Sequence, residues 1–93
     1  MQPFSLDEAQ SRLAALAGWQ VVAGELVKTF QFNDFVASLR FVNQVGELAE
    51  LAGHHPDIDI RYNRVRLALT THDAGGLTQK DFDLASQAQK LSQ

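Results

Sequence analysis

Residues 57–72 read Asp-Ile-Asp-Ile-Arg-Tyr-Asn-Arg-Val-Arg-Leu-Ala-Leu-Thr-Thr-His. Ile58, Ile60 and Tyr62 alternate with Asp57, Asp59 and Arg61, the period-two pattern of a half-buried strand. Val65, Leu67, Leu69 and Thr71 alternate with Arg64, Arg66, Ala68 and Thr70, which predicts a second strand. Asn63-Arg64 falls between them and predicts a hairpin turn, although it lacks the favoured Asn-Gly pair. Strands joined this closely pair antiparallel. This hairpin therefore excludes an all-helical fold and a purely parallel sheet.

Upstream, Phe35, Val36, Leu39, Val42, Val45, Ala49 and Ala52 recur at helical spacing and predict a long helix over about Asp34 to Ala52. Asn33 is its expected cap and Gly53 its end. Phe41 and Leu48 lie off that apolar face, so the helix shows apolar residues on more than one side. Before it, Trp19 to Ala23 and Leu26 to Phe32 read as strands around a Gly24-Glu25 turn. In the second of these, Val27, Thr29 and Gln31 alternate with Lys28, Phe30 and Phe32, and the pattern leaves open which set faces inward. The first helix is expected from Leu6 to Ala17. Ser5 and Glu8 form its capping box, Leu6, Ala9, Leu13 and Leu16 its apolar face, and Gly18 a left-handed end. Downstream, Asp73-Ala74-Gly75-Gly76 is a loop. Thr78 caps a last helix that carries Asp81 at its third position and Phe82, Ala85, Ala88 and Leu91 on its inner side. The order α-β-β-α-β-β-α implies a two-layer α+β domain, a four-stranded antiparallel sheet with three helices on one face.

Ninety-three residues are expected to form one domain, 1–93. A chain of this size buries roughly 60–65% of its unfolded surface, enough for one core. A hydrophobic content of 45% argues against disorder, and a net charge of −3 gives no electrostatic reason to bind nucleic acid. With no cysteine there is neither a disulfide nor a thiolate nucleophile. No basic start with an apolar run opens the sequence, and no stretch reaches the ~18 apolar residues of a membrane span. The expectation is a cytoplasmic protein with no membrane partner.

All three histidines fall in two short segments. Glu50 precedes His54-His55-Pro56, and His72 ends the second strand of the hairpin. Histidine is the side chain best suited to moving protons near neutral pH. His54-His55 follows a helix C-terminus, where unpaired carbonyls carry partial negative charge. Pro56 restricts His55 to extended geometry. Hairpin pairing places the start of one strand beside the end of the other, so His54, His55 and His72 are expected around one pocket mouth. Two imidazoles in one cleft can serve as acid and base in a single turnover. Each residue also has a plainer reading. His-His-Pro can be a solvated turn, and His72 beside Asp73 a surface ion pair. Asp81 is explained by a Thr-x-x-Asp capping box. Tyr62 reads as core or strand-edge packing, and Glu50 as a solvated helix residue. Three histidines could also bind zinc, and Arg61, Arg64 and Arg66 read as a solvated strand face.

The joint spacing of Glu50, His54-His55-Pro56, Tyr62, His72 and Asp81 resembles the pterin-4a-carbinolamine dehydratase family. Leu69-Thr70-Thr71-His72, Gly76-Leu77-Thr78 and Asp81 with Leu84-Ala85 are similar as well, as is Trp19 followed by strands bearing Phe30 and Phe32, then Phe35. The sequence departs at Gly53, where many members carry an acidic or amide residue, and at Ile58, where many carry an aromatic. The resemblance implies dehydration of 4a-hydroxytetrahydropterin to quinonoid dihydropterin, in the recycling of tetrahydrobiopterin for aromatic amino acid hydroxylases. It implies no metal and no organic cofactor. His54, His55 and His72 would be catalytic, with His54 and His72 transferring protons in an order the sequence leaves open and His55 positioning or assisting. His54, His55, Pro56, Thr71, His72, Asp73 and Ala74 would hold the pterin, and Glu50 and Asp81 would orient the histidines. A homodimer or homotetramer is implied too. Alternatives are a non-catalytic interaction module of the transcription-factor dimerisation type, or a dehydratase-like protein for another pterin, molybdopterin-related or associated with carbon fixation.

Overall fold

The hairpin of residues 57–69 forms one edge of the sheet. In the computed structural model, which describes residues 2–93, β3 (Asp57–Arg61) pairs antiparallel with β4 (Arg64–Leu69). Ile58 stands opposite Leu67 and Ile60 opposite Val65. The turn is Tyr62-Asn63, one residue earlier than expected. Tyr62 takes a left-handed backbone, φ 52°, and is 64% exposed, so it belongs to neither the core nor a strand. Arg64 becomes the first residue of β4 and faces Arg61.

On the other side of β4 lies β2 (Glu25–Gln31), and beyond it β1 (Gln20–Val22), giving the antiparallel order β1-β2-β4-β3. The β1–β2 turn is Ala23-Gly24, so Glu25 already belongs to β2. Lys28 and Phe30 turn toward the helices. This settles the face the alternation left open, and the reason is visible. Lys28 sits where its amine reaches the Ala17 carbonyl (2.9 Å) and Gln89 Oε1 (2.7 Å), which also accepts from Trp19 Nε1 at 3.1 Å. Burial holds the Lys28 pKa below the ordinary lysine value.

Three α-helices cover the inner face. α1 (Leu6–Arg12) has the Ser5–Glu8 capping box and continues into a 3₁₀ turn at Leu13–Ala15 rather than running to Ala17. That change of pitch buries Ala9 and Leu16 but leaves Leu6 64% exposed. Gly18 lies in the turn to β1 at φ +85°, and a Cβ there would sit 3.1 Å from the Lys28 side chain. α2 (Phe35–Ala52) is capped by Asp34, whose carboxylate accepts the Ala37 N–H, and not by Asn33. Its buried stripe is Ser38, Phe41, Val45 and Ala49, with Leu48 packed beside it. Phe35, Val36 and Leu39, read as core, are exposed. Phe41 fixes this phase by packing at 4.7 Å from Phe30 and 4.9 Å from Phe32. α3 (Gln79–Leu91) buries Phe82, Leu84, Ala85 and Ala88. These meet Leu26, Val65, Leu67 and Leu69 in one core. Each large apolar side chain so buried contributes about 1.5–3 kcal/mol. No helix among the described residues is long and apolar enough to cross a membrane.

Candidate active site

α2 ends abruptly at Gly53, and that end builds one wall of the site. Gly53 adopts the left-handed conformation, φ +61°. Its N–H bonds the Glu50 carbonyl at 3.2 Å, and the His54 N–H bonds the Ala49 carbonyl at 3.1 Å. This is a Schellman ending, which satisfies the last carbonyls of the helix. No heavy atom lies within 4 Å of a Cβ built on Gly53, so backbone conformation rather than space selects the residue. Aspartate and asparagine are the L-residues that best tolerate the same conformation. The departure at Gly53 thus keeps the backbone that places His54.

The opposite wall comes from the end of β4. Its chain continues through Thr70 and Thr71 into a 3₁₀ turn, His72–Ala74, where the sequence suggested a strand end and a loop. Thr71 bridges to Gly76 across this turn. Because Asp57 pairs with Ala68, the residues before β3 and after β4 meet at the same sheet edge. A cleft of about 220 Å³ opens there, lined by Gly53, His54, His55, Thr70, Thr71, His72, Asp73 and Lys80. Pro56 and Ala74 do not line it.

Within the cleft the residues differ sharply in how they are held. The His54 side chain is 10% exposed, and its Nε2 lies 2.6 Å from Oδ1 of Asp81, which is fully buried. Asp81 Oδ2 accepts the Thr71 hydroxyl at 2.8 Å and the Thr78 N–H at 2.9 Å. One carboxylate therefore closes the capping box of α3 and also holds His54. His55 is 64% exposed and meets Glu50, itself 78% exposed, at 2.5 Å. His72 is exposed and borders the cleft from the 3₁₀ turn. The three imidazoles share a cleft without gathering on one point. No group of three or more His, Asp or Glu side chains among the described residues stands in metal-ligand geometry.

Lys80, Thr70 and Gly53 line the cleft without having been singled out as ligand-binding residues. Lys80 carries one usable signal: it stands in the first turn of α3, beside Asp81 and two residues after the Thr78 cap. The chemistry available is proton transfer at imidazole nitrogens, with Asp73 and Lys80 as the charged groups of the rim.

Residues 2–91 match the model of a family described as pterin 4 alpha carbinolamine dehydratase. A protein of Acidobacterium capsulatum, named as a candidate pterin-4-alpha-carbinolamine dehydratase, is 62% identical over 82 residues, covering 88% of this chain and 89% of its own. A Chloroflexus aurantiacus protein of the same name is 55% identical over 91 residues, 98% of each chain. Among solved structures, a transcriptional coactivator/pterin dehydratase from Brucella melitensis superimposes with a TM-score of 0.95 at 32% identity, covering 99% of this chain and 100% of that one. A pterin dehydratase-like protein, identified as a RuBisCO assembly factor in the alpha-carboxysome, shares the fold with a TM-score of 0.66 at 23% identity, over 80% and 86% of the two chains.

Proposed function

We propose a reaction for this chain, which belongs to the pterin 4 alpha carbinolamine dehydratase family: removal of water from a 4a-hydroxytetrahydropterin to give a quinonoid dihydropterin. Dehydration of a pterin carbinolamine in general is supported by the family and by the names of its relatives. The observation that carries the reading to particular residues is the cleft shared by His54 and His72, in which His54 is anchored on a buried carboxylate. The reaction breaks the C4a–O bond, delivers a proton to the departing hydroxyl and removes one from a ring nitrogen. Two imidazoles on opposite walls can do both without a redox change. His55 assists from the rim. The cleft suits a flat bicycle whose substituent points outward, being smaller than the ~300–1,000 Å³ of pockets that enclose a larger ligand. The physiological role we assign is recycling of a tetrahydropterin used by an aromatic amino acid hydroxylase, in the cytoplasm, with no further cofactor.

The test is the rate of 4a-hydroxytetrahydropterin loss, with the compound generated in situ by a hydroxylase. Acceleration by the protein that vanishes in a His54→Ala, His72→Ala double variant supports the reading. A folded wild-type protein that leaves the rate unchanged refutes it.

A self-association accompanies this proposal. Phe35, Val36 and Leu39 are 45%, 58% and 38% exposed and cluster on one half of α2 as an apolar surface. These residues, and not Phe41 or Leu48, support a homodimer or homotetramer. Sedimentation showing a monomer at working concentration would remove that part of the reading.

A further inference from the structure

We propose that Thr71 and Thr78 are positioning residues for this reaction, orienting Asp81 so that His54 keeps its proton on Nε2 and presents Nδ1 to the substrate. The inference rests on the dehydratase reading for its chemistry, but the geometry behind it stands independently.

The direction of each hydrogen bond follows from counting protons. A hydroxyl has one proton to give. Thr71 gives its proton to Asp81 Oδ2 at 2.8 Å. The Thr71 and Thr78 oxygens are also 2.8 Å apart, so Thr78 must be the donor between them. Thr78 Oγ1 in turn accepts the Lys80 N–H at 3.3 Å. The chain therefore runs one way: Lys80 N–H to Thr78, Thr78 to Thr71, and Thr71 to Asp81. The Thr78 N–H gives Oδ2 a second donor at 2.9 Å. Oδ2 is thus saturated from the protein side, and Oδ1 alone faces His54, at 2.6 Å from Nε2. A carboxylate only accepts, so Nε2 carries the hydrogen. No side-chain nitrogen or oxygen among the described residues is buried without a partner. His54 Nδ1 has no hydrogen-bond partner among the described residues, so it is not buried and reaches the surface of a residue that lines the cleft. In the neutral ring it bears the lone pair, which makes His54 the proton acceptor and Asp81 the group that stabilises the imidazolium formed.

Thr71 borders the cleft, but its polar groups are not free to bind substrate. It is 4% exposed. Its N–H bonds the Gly76 carbonyl, and its own carbonyl accepts from Ala74 and Gly76. Every polar group it has is engaged inside the protein, so its effect on the reaction passes through Asp81.

Two measurements test this. The first is the tautomer of His54 in the wild-type protein, read from the ¹⁵N shifts of the ring and their couplings to ring protons. The Nε2–H form is expected, and an Nδ1–H form overturns the proposal without any variant. The second compares Thr71→Val, which removes the hydroxyl at nearly constant shape, with Thr71→Ser, which restores it. In Thr71→Val the tautomer should become mixed and kcat should fall by up to about 100-fold, as when a reacting group is misplaced by about an ångström. KM should stay within about twofold, and Thr71→Ser should recover both tautomer and rate. Unchanged tautomer and kcat in a folded Thr71→Val protein also overturn the proposal. A protein inactive on every pterin carbinolamine, whose His54 tautomer still follows Thr71, would uphold the positioning and remove the reaction assigned above.

Discussion

His54 and His55 are neighbours in the chain, and both place Nε2 against a carboxylate at nearly the same distance, 2.6 and 2.5 Å. Their surroundings nevertheless differ. The His54–Asp81 pair is 10% and 0% exposed, and the His55–Glu50 pair 64% and 78%. Once the imidazole is protonated, Coulomb's law gives such pairs very different weights: charges 4 Å apart interact by about 1 kcal/mol in bulk water and about 4 kcal/mol at an effective dielectric near 20. Asp81 is additionally fixed by two donors on its second oxygen, whereas Glu50 projects from α2 into solvent. Proximity of a histidine to an acid therefore says little by itself. Burial and the satisfaction of the acid's other oxygen decide whether the imidazole is held in one direction.

The largest expected consequence is kinetic. His54→Ala should lower the dehydration rate by about 10²–10⁴, the contribution of a positioned general acid or base. His55→Ala should fall short of about 10², because its pair is exposed and its ring less firmly directed. Parallel kcat measurements on the two variants check this. A reversed order, with His55→Ala the more damaging, would break the distinction between buried and exposed pairs.

Stability should separate the same two pairs. Asp81→Ala leaves the Thr71 hydroxyl, the Thr78 N–H and His54 Nε2 without their acceptor and removes half of a capping box. Breaking a buried pair in this way costs about 3–5 kcal/mol. For a domain of this size, about 4–8 °C accompanies each kcal/mol, so Tm should drop by more than about 10 °C. A calorimetric scan measures it. A drop of only a few degrees would show that water reaches Asp81 and that the carboxylate is less committed than its burial suggests.

Legibility in the sequence followed the same division between local and tertiary causes. The hairpin, the two outer capping boxes and the Gly53 end of α2 are written in neighbouring residues, and strict alternation from Ile58 to Leu69 sufficed to give β3 and β4. The phase of α2 was not legible, because Phe35, Val36 and Leu39 continue the apolar spacing on a side that meets no partner in this chain. Only Phe41 packing on Phe30 and Phe32 chooses the face. Asn33 and Asp34 are both good caps, and the choice between them depends on where the preceding strand releases the chain. The hairpin turn slipped by one residue because no Asn-Gly pair pins it, and Tyr62 was drawn into a left-handed position that sequence pattern disfavours. Asp81 shows the limit most clearly. A Thr-x-x-Asp box accounts for one carboxylate oxygen, and nothing local announces that the other reaches His54 across 27 positions of sequence.

The smallest expected effect is at Glu50. Glu50→Gln keeps the length of the side chain and its ability to hydrogen-bond His55 while removing the charge. Exposed ion pairs contribute about 0–1 kcal/mol, and at 1 M salt the screening length falls to about 3 Å. The variant should therefore melt within about 8 °C of wild type at low salt, and the difference should vanish at 1 M salt. Its kcat should stay close to that of the parent, because the residue it faces already samples solvent. A Tm loss approaching that of Asp81→Ala, or one that persists at high salt, would mean that the His55–Glu50 pair is enclosed in the assembled protein. The neighbouring apolar surface of α2 would then be the first place to look for what encloses it, since Phe35, Val36 and Leu39 lie on the same helix as Glu50.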